Sequence, residues 1–369
     1  MKRWSKCENL LIIRADNMGD VLMSSPAIRA LQQTFKSRIT LLTSSRGYDA
    51  GLLIPEIDHV IAYDFPWTKT DAAENPDLFL DLISLIANRR FDGCIIFTVY
   101  SQNPLPSAMV AYMAGIPLRL AYCRENPYGL LTHWKPDSEP LEFIRHQVSR
   151  DLDLVADIGA MGAQQALHIN VSQVVKDAAF EKLRSFGIHR NQNYLILHPG
   201  VSEVKRQYPQ KAWIKCARTL SSELKMPVLL TGIREEAEML KELEQCIGSS
   251  AISVAGVFSL HEFAAVVADA QAVVSVNTGT VHLAAAVQTP VVVLYAQTNP
   301  QHTPWQVPNV VLEYSIPEDA KSKNKVIEFV DRKLYSKHVS LPDEDQILQA
   351  VLGLLRVEKR DRSSFSTSS

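Results

Sequence analysis

The sequence predicts an α/β architecture made of two doubly wound domains, each a parallel sheet with helices on both faces. Three observations carry this. Short apolar runs alternate with helix-length amphipathic segments, the pattern of successive βαβ units. The alternation occurs twice, separated by a proline-bearing stretch over 98–168. And 369 residues exceed what one ordinary core accommodates, so two cores are the natural expectation.

In order along the chain, Leu10–Ile13 reads as a first buried strand. A helix carrying Ile28, Leu31 and Phe35 on one face follows, and Ile39–Leu42 reads as a second strand. Val60–Tyr63 and Cys94–Phe97 are further strands, with Leu78–Ala87 apolar at helical spacing between them. Pro104, Pro106, Pro117, Pro127, Pro136 and Pro140 then suggest loops and short helices. A second series of strands runs Tyr194–Leu197, Val228–Leu230, Ala251–Val254, Ala272–Val276 and Val291–Leu294. Helices are expected over Trp213–Leu224, Glu235–Cys246 and Leu260–Ala268, and a late one over Asp343–Leu355. Residues after Glu313 read as charged and irregular through Lys321–Lys325, and the serine-rich Arg360–Ser369 reads as a disordered tail. The expected division is 1–168, 169–335 and a C-terminal extension over 336–369.

Composition narrows the function. Lys and Arg together number 38 against 40 Asp and Glu, a balance that disfavours nucleic-acid binding, which needs a basic surface. Cys7, Cys94, Cys123, Cys216 and Cys246 are odd in number and scattered, which argues against a disulfide framework or a zinc site and for a reducing compartment. The apolar run near the N-terminus is too short for a signal sequence and is followed at once by Arg14 and Asp16. No run reaches the roughly 18–20 apolar residues of a spanning helix, so a cytoplasmic protein is expected.

Open parallel sheets bind ligands beyond the C-terminal ends of their strands, which selects four loops. The first runs Arg14-Ala15-Asp16-Asn17-Met18-Gly19-Asp20, with Asp20 at the start of a helix, where the dipole favours a carboxylate. A helix-start role explains Asp20 equally well. No G-x-G-x-x-G accompanies it, which disfavours a nicotinamide or flavin enzyme. The second, His198 to Arg206, offers Ser202, Lys205 and Arg206 as a phosphate cradle, although paired cations are also common on solvated surfaces. The third opens a helix with Glu235 and Glu236, acids suited either to that position or to ribose hydroxyls. The fourth is the sharpest: Asn277-Thr278-Gly279 ends a buried strand and starts a small-residue helix whose amides suit a diphosphate, with His282 in its first turn.

Three segments, IIRADNMGDVLMSSPAIRAL, HPGVSEVKR followed by Pro209, and VVSVNTGTVHLAAAVQTPVVVLYAQTNP, resemble in order the motifs of the bacterial heptosyltransferase family, glycosyltransferase family 9. The resemblance spans roughly residues 9–310. It implies the glycosyltransferase B-type fold, two Rossmann-like domains facing a cleft, with the acceptor on the first and the nucleotide-sugar donor on the second. It implies an inverting, metal-independent transfer from an ADP-linked heptose to lipopolysaccharide core or another surface glycan, with no cofactor. The enzyme would act as a monomer touching the cytoplasmic face of the inner membrane. Asp20 falls on the family's general base, Lys205 with Ser202 and Arg206 on its phosphate loop, and Thr278, Gly279 and His282 on its diphosphate and sugar motif. Glu235 or Glu236 falls on the ribose contact, and Phe258 is positioned to pack on the base.

Two departures stand out. Asn277 occupies a position where the family commonly has Asp, a donor-sugar contact if its side chain points into the crevice from the strand end and a helix cap otherwise. Lys205-Arg206-Gln207-Tyr208-Pro209 is one residue longer than the usual pattern, so Lys205 and Arg206 can exchange roles. A nucleotide-sugar epimerase of the same architecture, or a sugar-nucleotide binding protein without turnover, are the competing readings.

Overall fold

The structure is a computed structural model, and it describes residues 3–68 and 75–365, with only the helical backbone given over 357–365. Contacts divide the chain into two compact units, Met1–Asn170 and Val171–Ser369.

The first unit contains β1 (Asn9–Arg14), α1 (Met18–Phe35), β2 (Arg38–Thr43), α2 (Tyr48–Leu53), β3 (His59–Ala62) and α3 (Pro76–Asn88). It continues with β4 (Gly93–Ile96), α4 (Leu105–Met113), β5 (Leu118–Cys123), β6 (His133–Pro136) and α5 (Gln147–Ala156). The six strands pair in parallel in the order β3-β2-β1-β4-β5-β6. Central strands covered on both faces must be apolar throughout, and β1 meets this with Leu10 to Ile13 fully buried. The long first helix carries Pro26 in its interior, which removes the donor that Leu22 would normally receive. Ser25 Oγ donates to that same Leu22 carbonyl at 2.7 Å, so the helix continues without an orphaned acceptor.

Two strands and two helices occupy the stretch expected to hold loops and short helices. The strand β5 was obscured by Arg119, which breaks the apolar run yet is buried. Its guanidinium donates to the carbonyls of Ile116, Gly129 and Leu130, which satisfies the charge locally. The strand β6 is a short edge ending in Pro136, a position that tolerates a residue without an amide donor.

The second unit begins with α6 (Gln173–Ser185) and β7 (Leu195–His198), followed by α7 (Gln210–Leu224), β8 (Val228–Leu230), α8 (Ala237–Ile247) and β9 (Ala251–Ser253). Next come α9 (Leu260–Asp269), β10 (Ala272–Val276), α10 (Gly279–Ala286), β11 (Val291–Ala296), β12 (Asn309–Tyr314), α11 (Lys325–Leu334) and α12 (Glu344–Phe365). Its parallel sheet runs β12-β11-β10-β7-β8-β9. Counted within each unit, this is the same strand order as in the first sheet. In both, the order reverses between the first and fourth strands, and such a reversal opens a crevice at the strands' C-terminal ends.

Three boundaries differ from expectation. Glu235 and Glu236 lie in a 3-10 turn, Arg234–Glu236, that precedes α8. Helix α11, not among the expected helices, begins at Lys325, where the irregular stretch ends, and its first turn is capped by Asn324. Helix α12 extends to Phe365 instead of stopping at Leu355, so the tail expected to be disordered from Arg360 is helical as far as Phe365, and residues 366–369 lie outside the described residues. Ile347, Val351 and Leu354 of α12 join Trp213 and Leu220 of α7 in the core of the second unit. The Tyr208 hydroxyl donates to the Pro342 carbonyl just before that helix at 2.6 Å.

Candidate functional site

At the reversal point of the first sheet, β1 ends on Arg14, a fully buried cation. Burying a guanidinium is costly unless carboxylates surround it. Its Nε lies 3.0 Å from Asp16 Oδ2 and its Nη2 donates to Asp20 Oδ1 at 3.0 Å. Helix α1 starts at Met18, with exposed Asn17 in an extended N-cap conformation and Gly19 buried, which puts Asp20 in the first turn. The Asp20 side chain keeps 16% exposure, enough to meet a ligand from the strand-end side. The loop is fixed from two directions. Ser44 Oγ donates to the Asp16 carbonyl at 2.6 Å, and Gln102, from the loop after β4, donates to the Asp16 carboxylate at 2.5 Å. Behind Asp20, Ser24 Oγ and Gln147 Nε2 both donate to buried Asp151 of α5, each at 2.7 Å. Burial pushes Asp16 up to about 6 against the opposing pull of Arg14, with the charge of Asp20 adding to the rise. Burial likewise pushes Asp151 up to about 6, against Arg14 and its hydrogen-bond donors.

The reversal point of the second sheet gathers the other candidates. His198 ends β7 and its Nδ1 lies 2.9 Å from the Thr231 hydroxyl, which ties the ends of β7 and β8 together. Burial lowers the His198 pKa to about 4, so the imidazole is neutral at physiological pH. The loop that follows carries exposed Ser202 and a 3-10 turn over Val204–Arg206. Arg206 and Lys205 behave differently there. Arg206 Nη1 donates to the Asn277 carbonyl at 3.1 Å, and its own carbonyl accepts from the Tyr314 hydroxyl at 2.6 Å, so it braces the β10 end. Lys205 Nζ sits 3.3 Å from Glu203 without such a tie to the sheet.

Between the two acids of the third loop, the structure separates roles by burial. Glu235 is exposed, whereas Glu236 is half-buried and accepts from the Ile233 amide at 3.0 Å. Gly200 and Gly232 make room for it: a Cβ on either would lie 2.4 Å or 2.6 Å from a Glu236 carboxylate oxygen. Burial raises the Glu236 pKa, offset by the Ile233 and Val201 amides. Phe258 is half-buried with the Lys182 ammonium 5.9 Å from its ring centre. That ammonium also bonds Val257 O and Glu262.

Asn277 requires a correction. Its position suggested a side chain aimed outward at a ligand, or a helix cap. Instead it is buried, Nδ2 donates to Thr298 Oγ1 at 3.1 Å and to Ala296 O at 3.5 Å, and Oδ1 accepts from the Ala296 amide at 3.3 Å. Beyond the last ladder bond, the diverging ends of β10 and β11 leave backbone groups that an amide side chain satisfies in both senses. The N-cap residue of α10 is Thr278, in extended conformation, and Thr278 and Gly279 are half-buried at the helix start. His282 is buried, with its ring edge-on to His302 at 6.2 Å.

The structure thus brings Asn17, Met18, Gly19 and Asp20 to one sheet's reversal point. It brings Lys205, Arg206, Asn277, Thr278 and Gly279 to the other, with Glu236 one strand over. Arg14 and Asp16 fall in the first selected loop, where the sequence alone gives them no role, and Gln102 and Asp151 lie outside all four loops. A charged residue ending a fully apolar strand was a readable signal for Arg14, whereas Asp151 lies where the sequence pattern blurs. Among the described residues, no group of three or more His, Cys, Asp or Glu is arranged to hold a metal ion, and no helix is long and apolar enough to cross a membrane.

Comparison with known proteins follows the same lines. The family model for glycosyltransferase family 9 (heptosyltransferase) matches residues 82–328. The chain is 25% identical over 310 residues to lipopolysaccharide heptosyltransferase 2 of Escherichia coli, covering 80% of this chain and 84% of that one. Among solved structures it is similar to a family 9 glycosyl transferase from Veillonella parvula, with a TM-score of 0.75, 18% identity and coverage of 94% and 97%. It is also similar to an E. coli heptosyltransferase with ADP-2-deoxy-2-fluoro heptose, with a TM-score of 0.62, 19% identity and coverage of 88% and 99%.

Proposed function

Because the chain belongs to glycosyltransferase family 9 and is a glycosyltransferase of the B-type fold, we propose that it moves a heptose from ADP-heptose onto a lipopolysaccharide core acceptor, with inversion and without a metal ion. The observation that carries this reading is Asp20, a half-buried carboxylate in a helix first turn at a strand-order reversal, oriented by a buried guanidinium. Asp20 takes the proton of an acceptor hydroxyl as that oxygen bonds to the anomeric carbon. On the opposite face the bond from that carbon to the diphosphate oxygen breaks, and the nucleoside diphosphate departs with the electron pair. Lys205 and the first amides of α10 stabilise the charge growing on the leaving oxygens. Arg206 holds the loop that presents Lys205, and Glu236 accepts the ribose hydroxyls. The relatives' named donor and acceptor support the choice of substrates. The proposal extends to a cytoplasmic enzyme meeting a membrane-held acceptor at the inner membrane's cytoplasmic face.

A donor screen tests this. Ligand-induced thermal shifts are measured for ADP-heptose against UDP- and GDP-sugars, followed by release of the nucleoside diphosphate with a lipopolysaccharide core acceptor. Selective stabilisation by ADP-heptose and acceptor-dependent release are expected. Preference for another nucleotide overturns the donor, and turnover without an acceptor overturns transfer.

A further inference from the structure

One guanidinium serves several acids at the first reversal point. Arg14 is fully buried, pairs with Asp16 and Asp20 at 3.0 Å each, and also feels the charge of Asp151. A cation shared among carboxylates cannot favour them all equally, so the charge state of one governs the field left to the others. Asp20 is the member at the candidate base position. Asp16 is the member tied on both sides, by Ser44 at its carbonyl and Gln102 at its carboxylate, so it cannot swing away from Arg14.

We infer that Asp16 is a positioning residue for Asp20, tuning the base through the guanidinium they share. The inference rests on the reading of Asp20 as the base. With Asp16 neutral, Arg14 is left to Asp20 and stabilises its anion, which weakens it as a proton acceptor. With Asp16 ionised, it competes for Arg14 and repels Asp20, and the basicity of Asp20 rises. Among the described residues, the charged and polar groups around this array include Arg14 from β1, Asp20 and Ser24 from α1, Ser44 from the loop after β2, Gln102 from the loop after β4, and Asp151, Gln147 and Arg150 from α5. Asp16 titrates close to 6, because burial and the Asp20 charge outweigh Arg14 and the Gln102 hydrogen bond. The tuning therefore turns on as pH rises through that value.

The test compares wild type, Asp16→Asn and Asp20→Asn, using release of nucleoside diphosphate from ADP-heptose with a core acceptor, from about pH 5 to about pH 8.5. The Asn side chain keeps the size of Asp16 and its capacity to accept from Gln102, but never carries the charge. The ratio of wild-type to Asp16→Asn turnover is expected to grow with pH, reaching roughly three- to tenfold above pH 7, as a Brønsted dependence on base strength requires. Donor KM should stay within about twofold. A ratio that is flat or falling with pH, at whatever level, overturns the inference, since a purely structural pair would cost the same at every pH. Wild-type turnover in Asp20→Asn overturns the base assignment instead, a separate outcome. Should Asp16→Asn fail to fold, Gln102→Leu replaces it: loss of that hydrogen bond must move the rise in wild-type turnover to higher pH, and an unmoved rise overturns the inference.

Discussion

Replacing Asn277 with Asp distinguishes a ligand-reading residue from one that holds two strand ends together. In the structure the amide nitrogen donates to Thr298 Oγ1 at 3.1 Å and to the Ala296 carbonyl at 3.5 Å. A carboxylate cannot donate. Thr298 can turn its hydroxyl around and give its proton to the new oxygen, but the Ala296 carbonyl cannot, and two acceptors then face each other in a site only 7% exposed. Leaving a buried acceptor unpaired costs about 1–3 kcal/mol, and desolvating the new charge adds to it. A total of about 2–3 kcal/mol should lower the melting temperature of the second unit by about 5–10 °C at pH 7.5. The sign with pH follows. Burial raises the folded-state pKa of the new acid above its unfolded value, so the penalty is full above the folded pKa and shrinks as pH falls and the protonated carboxyl regains a donor. Scanning calorimetry of both proteins between about pH 5 and about pH 8 measures this. A melting temperature within 2 °C of wild type at pH 7.5, or a deficit that does not shrink on acidification, would refute the strand-clasp account and return Asn277 to the set of donor contacts.

Three further outcomes are expected. Asp20→Asn should lower turnover by about 10²–10⁴ with donor affinity nearly unchanged, as measured by initial rates and calorimetric titration, and unaltered rates would remove Asp20 from the chemistry. Lys205→Ala should weaken ADP binding without a change in melting temperature, whereas Arg206→Ala, which cuts the brace on the Asn277 carbonyl, should lower both. Equal melting temperatures for the two variants would erase that division of labour. Activity should survive excess chelator, since side-chain cations and helix amides carry the leaving charge. Loss with EDTA and recovery with Mg²⁺ or Mn²⁺ would reverse that expectation.

Much of this architecture was legible because buried parallel strands have little choice of residue. The runs at Leu10–Ile13 and Val228–Leu230 are apolar on both faces, and Ala272–Val276 is so but for the buried Ser275, and each strand falls where its run predicts. The strand through Arg119 was not legible, because its guanidinium is hydrogen-bonded by carbonyls that come together only after folding. The same limit applies at the sites. Loops could be chosen from strand ends, but the direction of a side chain depends on its neighbours in space. So Asn277 turned inward, Glu236 was separated from Glu235 by burial against two glycines, and Asp151 reached the Asp20 region from more than a hundred residues away.

The seating of α12 in the second core has a consequence for how the chain matures during synthesis. Every strand and helix of the first unit lies within its first 170 residues, so its core can close while the rest is still being translated. The second unit cannot. Trp213 and Leu220 wait for Ile347, Val351 and Leu354, residues made more than a hundred codons later. Through that interval the nascent sheet carries an uncovered apolar face, the exposed surface on which aggregation and chaperone capture act. Weakened packing of α12 should therefore reduce the yield of folded protein made in cells before it affects the activity of molecules that have folded.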